Sequence, residues 1–206
     1  MKKSVDYFSV LARQSDFVRL AAERLAETLR NYQFLGLPET LAAIQADRQR
    51  SAALCRELTG AAVRDFLPPL ERGDLLGLSA GLDGALGAVE QALRQLAAFQ
   101  TAKIPAAAAG LGEKIAAQAV LLGELTGMLP RLKKNGDGIL SLTERISAMT
   151  REIGEAVGDA LRVLFSRQAD PRELLIWSTV YFQLERCGGA GDQLARAAEL
   201  ALMRNL

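Results

Sequence analysis

The sequence predicts an all-α protein of six long helices, with no strand pattern competing. Alanine and leucine fill a third of the 206 residues while aromatic residues are 5%, the composition of long helices packed through small aliphatic side chains rather than of sheets. Apolar residues recur at three- and four-residue spacings, and proline or glycine breakers divide the chain into six such runs. At about 150 residues per domain the length suits one domain, and it suffices to bury a core without staples.

The first run, about Asp6 to Tyr32, places Phe8, Leu11, Ser15, Val18, Ala22, Leu25 and Leu29 on one stripe and should stop near Gly36. Pro38 suits the first turn of a second helix, whose stripe Leu41, Ile44, Leu54, Leu58, Ala62 and Phe66 carries it as far as Pro68-Pro69, a pair it cannot pass. A third helix runs from about Glu71 through Leu75, Leu78, Leu82, Leu86, Val89, Leu93 and Leu96 to about Lys103, and Pro105 ends it or starts the next. The fourth, about Ala106 to Lys134, closes with Lys133 and Lys134 before Asn135-Gly136-Asp137-Gly138. Cations and then glycine belong at a helix C-terminus, so this is read as a loop. A fifth helix spans about Leu140 to Gln168 on Leu142, Ile146, Met149, Ile153, Val157, Leu161 and Leu164. The sixth opens at Asp170-Pro171, an N-cap followed by proline at the first helical position, and runs to the C-terminus.

Sliding the sequence by 102 residues pairs Leu82 to Arg94 with Leu184 to Arg196. Leu82, Gly87, Ala88, Gln91 and Arg94 then meet identical residues, and Asp83 and Glu90 meet the acids Glu185 and Asp192. Ile44 falls on Ile146, and Pro69 and Glu71 on Pro171 and Glu173. This predicts two three-helix repeat units, about 1–103 and 104–206, within a single helical domain over 1–206.

Composition excludes more than it assigns. There is no histidine, so Ser-His and Cys-His catalysis, histidine-ligated zinc or haem, and Glu-x-x-His metal motifs are ruled out. Lysine plus arginine is 25 and aspartate plus glutamate 24, giving a charge of +1, which argues against nucleic acid or a polybasic membrane patch. Cys55 and Cys187 stand far apart, as in reduced thiols of a cytosolic protein. After Lys2 and Lys3 come Asp6, Tyr7 and Ser9 rather than a signal-peptide core. The most apolar stretch, Ile104 to Leu129, is interrupted by Glu113, Lys114, Gln118 and Glu124, so no transmembrane segment is expected.

The order of elements, the segment Phe66-Leu67-Pro68-Pro69-Leu70-Glu71-Arg72-Gly73-Asp74-Leu75, and the segments Leu164-Phe165 and Leu184-Glu185 resemble the PhoU-like proteins encoded beside low-affinity phosphate permeases. There the first segment typically reads Phe-Ile-Thr-Pro-Phe-Asp-Arg-Glu-Asp-Ile, so Phe66, Pro69, Arg72 and Asp74 are kept and Glu71 is a conservative change. The resemblance covers the whole chain. It implies two repeated three-helix bundles, no enzymatic activity, and a role in phosphate transport or its regulation.

Such proteins usually carry metal clusters built from Glu/Asp-x-x-x-Asp motifs on helices two, three, five and six. Residues four apart share one helix face, so facing helices can converge carboxylates on a cation without histidine. Aligned on Ile44, the helix-two motif falls on Arg48, Arg50 and Ala52. Helix three keeps Asp83 but has Gly87, helix five has Thr150, Glu152 and Gly154, and helix six keeps Glu185 but has Gly189. One carboxylate per helix beside two arginines is poor ligand chemistry, so no metal and no cofactor is expected. Any residual metal would have to bind near Asp83, Glu152 or Glu185. Arg48 and Arg50 either pair with Asp83 on helix three, lie solvated outside, or bind phosphate.

Three other features have plain readings. Glu23 with Glu27, and Glu155 with Asp159, are charge pairs on solvated faces. Asp137-Gly138 after Asn135-Gly136 is a helix connection rather than a calcium loop. Trp177, Tyr181 and Phe182 serve core packing or an interface. The mid-helix glycines Gly84, Gly87, Gly154, Gly158, Gly188 and Gly189 reflect either loss of a site or close approach of a neighbouring helix. The expected function is a non-enzymatic, cytoplasmic accessory or regulator of phosphate transport. It acts by contact with a phosphate permease at the membrane's cytoplasmic face or with its own copies as a homo-oligomer. The alternative is a helical scaffold or dimerisation protein that no longer binds metal or a transporter.

Overall fold

A computed structural model describes residues 5–33, 36–101, 103–166 and 170–205. Lys2, Lys3 and Gln168, invoked above, lie outside these. The described chain forms six helices: α1 (Tyr7–Arg30), α2 (Leu37–Arg64), α3 (Arg72–Phe99), α4 (Ala106–Met128), α5 (Gly136–Ser166) and α6 (Pro171–Asn205). No strand occurs among the described residues.

Helices α1 to α3 pack on one another, and α4 to α6 do the same. The two sets meet chiefly where α1 lies along α4 and α3 along α6. Helix α4 therefore has neighbours in α1, α5 and α6, which is why its apolar residues run nearly all round it. One continuous core results, from Leu11 and Leu25 through Ile44, Leu82 and Leu93 to Ile146, Leu184 and Leu194. The registered pair Ile44 and Ile146 are both fully buried.

Side-chain caps mark the starts of the first and last helices. The Asp6 side chain accepts from the Ser9 amide at the start of α1, and Asp170 accepts from the Arg172 amide before Pro171. Helix α3 ends at Gln100, which takes the left-handed conformation with φ 48°.

Two boundaries correct the sequence reading. Helix α2 stops at Arg64, before the two prolines, because Asp65 turns extended and its carboxylate accepts from the Tyr7 hydroxyl at 2.7 Å. Phe66 is consequently 90% exposed and is not part of the α2 core stripe. The Asn135-Gly136-Asp137-Gly138 segment is not a loop. Helix α4 ends in a short 3-10 turn, Leu129–Arg131, around Pro130, and α5 already begins at Gly136. Asn135 joins the two: its amide side chain donates to the Met128 carbonyl and its own carbonyl accepts from Ile139.

The segment before α3 is a clamp. Asp74, in the first turn of α3, is buried and accepts from Arg204 at 2.9 Å and from Asn205 at 3.0 Å, tying the end of α6 to the start of α3. Arg72 donates to the Asp65 carbonyl.

Candidate functional site

The positions at which the PhoU-like resemblance places acids hold two unlike polar networks. On the α2/α3 side the network starts inside the bundle. Gln14 of α1, fully buried, accepts from the Ser79 hydroxyl at 2.8 Å and donates to the Ser51 hydroxyl at 3.2 Å. The Ser51 hydroxyl in turn donates to Asp83 Oδ1 at 2.9 Å. The Arg48 guanidinium closes the chain, with Nη1 2.6 Å from Asp83 Oδ2 and Nε 3.5 Å from Glu90 Oε2. Arg94, one turn beyond Glu90, pairs with its Oε1 at 2.7 Å.

Gly87 makes room for this arrangement. A Cβ there would lie 3.3 Å from both Cζ and Nη2 of Arg48. Of the three readings left open for the arginines, the ion pair with Asp83 holds for Arg48. Arg50 instead pairs with Asp47 on its own helix at 3.1 Å. Asp47 is buried and takes a second, shorter bond from Arg24 of α1 at 2.7 Å.

On the α5/α6 side the buried centre is neutral, with a charged group only towards the surface. The buried Gln118 amide donates to Thr150 Oγ1 at 2.7 Å, to the Gly188 carbonyl at 3.3 Å and to the Ile146 carbonyl at 3.4 Å. Gly191 leaves the space that amide occupies, since a Cβ there would come within 2.6 Å of Gln118 Oε1. Gly188 admits Ile153, whose Cδ1 would sit 3.0 Å from a Cβ. Nearby, the Ser147 hydroxyl donates to Asp192 at 2.5 Å, and Arg196 reaches it at 2.7 Å. Burial pushes the Asp192 carboxyl up, but the bonds from Ser147 and Arg196 outweigh it and hold the group below the usual carboxylate range.

Of the three acids where residual metal was considered, Asp83 belongs to the first network, Glu152 pairs with Lys114 at 2.6 Å, and Glu185 is exposed on α6. The structure does not bring them together. Among the described residues, no three histidine, cysteine, aspartate or glutamate side chains converge as a cation would require. The donor set does not fit a metal cluster either: Asp83 and Glu90 already face a guanidinium, and Gln118 and Thr150 are neutral. The mid-helix glycines divide. Gly87 and Gly188 serve close approach of a neighbouring side chain, whereas nothing lies within 4 Å of a Cβ at Gly84, Gly158 or Gly189.

The outer charge pairs lie on the surface as expected: Glu23 pairs with Arg19, Glu27 with Arg30, and Asp159 with Arg162. Trp177 and Tyr181 pack in the core with ring centroids 5.9 Å apart, while Phe182 is half exposed. Several exposed apolar side chains lie near helix ends: Val63 in the last turn of α2 with Phe66 and Leu67 just after it, and Val163 and Phe165 at the end of α5.

The buried amides Gln14 and Gln118 and the hydroxyl of Ser79 were missed by sequence reasoning, yet each has a signal. Gln14 lies three after Leu11 and four before Val18, Ser79 four after Leu75 and three before Leu82, and Gln118 three after Ile115 and four before Leu122. A polar residue on a core stripe has to find a partner inside.

No protein-family model matches the chain. It is similar to a Rhizobium meliloti (strain 1021) protein named "Putative pit accessory protein", 23% identical over 205 residues, covering 97% of this chain and 94% of that one. Two solved structures from Shewanella oneidensis MR-1 share the fold. One is described as a PhoU-like protein (TM-score 0.84, 15% identity) and the other as a "putative PhoU-like phosphate regulatory protein" (TM-score 0.83, 16% identity). Each alignment covers 97% of this chain and 100% of the other. The chain has the PhoU-like all-α fold.

Proposed function

We propose that this chain is a PhoU-like accessory or regulatory protein of phosphate transport that works by binding and not by catalysis. The observation that carries the reading is the end-to-end likeness to the Rhizobium meliloti accessory protein. Because it spans nearly the full length of both chains, it supports a shared role of the whole molecule rather than of one borrowed segment. The Shewanella structures support the same field of action. We take residues 1–206 as one helical domain of two repeat units, about 1–103 and 104–206, acting in the cytoplasm.

The partner in this reading is a phosphate permease, met at the membrane's cytoplasmic face. Among the described residues no helix is long and apolar enough to cross a membrane. Contact would run through protruding side chains, and Phe66 and Leu67, 90% and 85% exposed beside Pro68-Pro69, are suited to it. Proline stiffens the tip, so little ordering entropy is lost when it docks.

Affinity capture of the tagged chain from solubilised membranes tests the proposal. Recovery of a phosphate permease, weakened by Phe66→Ser with Leu67→Ser, is the expected result. Recovery of the chain's own copies without any permease would instead favour the scaffold or dimerisation reading, for which the apolar helix ends are equally suited.

A further inference from the structure

We infer that the trough formed by Asp83, Gly87 and Glu90 on α3 is a built cation site whose resident cation is the Arg48 guanidinium of α2, so that an organic cation cross-links the two helices where a metal ion otherwise could. Asp83 and Glu90 stand seven residues apart and Gly87 lies between them, so all three share one face of α3 over two turns. Arg48 spans both carboxylates, from Nη1 on Asp83 at 2.6 Å to Nε toward Glu90 at 3.5 Å, and also donates to the Asp83 carbonyl. The floor of the trough is Gly87. Any side chain there would press on Cζ and Nη2, since a Cβ alone comes within 3.3 Å of them.

The site is also oriented from behind. Ser51 holds the second oxygen of Asp83, and Ser51 is itself held by the buried Gln14. The side chains of Asp83 and Glu90 are 27% and 14% exposed and that of Arg48 30%, so the pair is partly shielded from solvent and less screened than a fully exposed one. A guanidinium supplies only donors and covers the same oxygens that a divalent ion would take. Occupancy by one excludes the other.

The test follows thermal unfolding of the full chain in millimolar manganese(II) and in excess EDTA. The native protein should melt at the same temperature in both. Arg48→Ala should melt lower by roughly 3–8 °C, and Arg48→Lys, which keeps the charge but not the fork, should fall between and ignore manganese. Arg48→Ala combined with Gly87→Asp, which returns a third carboxylate to the trough, should gain a saturable rise in melting temperature with manganese. Adding Asp83→Asn should abolish that rise.

Three results would each overturn the inference. The first is a manganese-dependent rise in the native protein or in Arg48→Lys that Asp83→Asn removes. The second is an unchanged melting temperature for Arg48→Ala. The third is a folded Arg48→Ala, Gly87→Asp protein indifferent to manganese. Should that double variant not fold, calorimetric titration of Arg48→Ala and of the native chain with manganese decides: measurable binding to the first and none to the second is the expected pattern, and the reverse refutes it.

Discussion

Replacing Gly112 by alanine should destabilise the protein relative to the same change at Gly110, two residues earlier on α4. Gly112 is buried where α4 crosses α1, and a Cβ there would lie 2.9 Å from Leu29 Cδ1 and 3.1 Å from Ala26 Cα. Carbon atoms prefer roughly 3.5–4.0 Å. The Leu29 methyl could rotate away, but Leu29 is itself a packed core residue at 2% exposure. Ala26 Cα is backbone and can yield only if α1 moves. Overpacking of this kind costs about 1–3 kcal/mol. Gly110 meets nothing within 4 Å, so Gly110→Ala should show only the helix-propensity gain, up to about 1 kcal/mol. That gain is common to both substitutions and cancels in the comparison. The two variants should therefore differ by about 1–3 kcal/mol, with Gly112→Ala the weaker. Urea unfolding followed by circular dichroism measures it, as a shift in midpoint at unchanged slope. If Gly112→Ala proves as stable as Gly110→Ala, the close α1/α4 approach does not constrain the fold as argued.

Two further predictions concern titration and reactivity. Burial, then the hydrogen bond to Asp65, push the Tyr7 phenol from 10.0 up to about 12. A folded value above the unfolded one means this contribution is complete below pH 10 and is lost as pH rises towards 12. Stability measured across that window should fall less steeply in Tyr7→Phe, and equal slopes would refute the assignment. Burial likewise pushes the Cys187 thiol up to about 12, while Cys55 is partly exposed. Iodoacetamide near neutral pH should therefore label one thiol per folded chain and two after unfolding, read by mass spectrometry. Equal labelling rates in the folded state would contradict the buried position of Cys187.

The helices were legible because their apolar spacing and breaker or cap signals such as Asp170-Pro171 are local. What was misread was decided by contacts from a distance. Proline forbids a helix from passing Pro68, but it does not say where the helix stops before it. Tyr7, on another helix, captures Asp65 and settles the matter. At Asn135-Gly136-Asp137-Gly138 the glycines suggested a left-handed cap, yet no described glycine has positive φ. The Asn135 side chain satisfies the end of α4 instead, and this frees the following residues to begin α5. The same distinction governs the site. Register with Ile44, four residues away on the same face, made Asp83 one of three partners open to Arg48 and Arg50, and only Arg48 takes it. Arg50 could not follow it there, because residues two apart on a helix point to different sides, and it pairs back to Asp47.

The two halves, alike in sequence register, solve one physical problem differently. Each must fix its outer helix, α2 or α5, against α3 or α6 at a place where an apolar seam gives way to polar residues. The first half does so with charge, Arg48 across Asp83 and Glu90, with Gly87 leaving room for the guanidinium. The second does so at its buried centre with a neutral amide, Gln118 of α4 between Thr150 and the Gly188 carbonyl, seated where Gly191 leaves room, and nearer the surface with Ser147 on Asp192. The charged lock is partly exposed and weakens with ionic strength; the neutral one is buried and does not. With Arg94 also on Glu90, the two acids of the charged lock face two guanidinium groups, so no surplus of acid is left there for a cation to neutralise. A chain holding its helices with clustered carboxylates would carry a marked negative charge, whereas here 25 cationic residues stand against 24 acidic ones. The near-neutral balance, uninformative as a whole-chain count, agrees with helices joined by ion pairs and neutral amides rather than by clustered carboxylates.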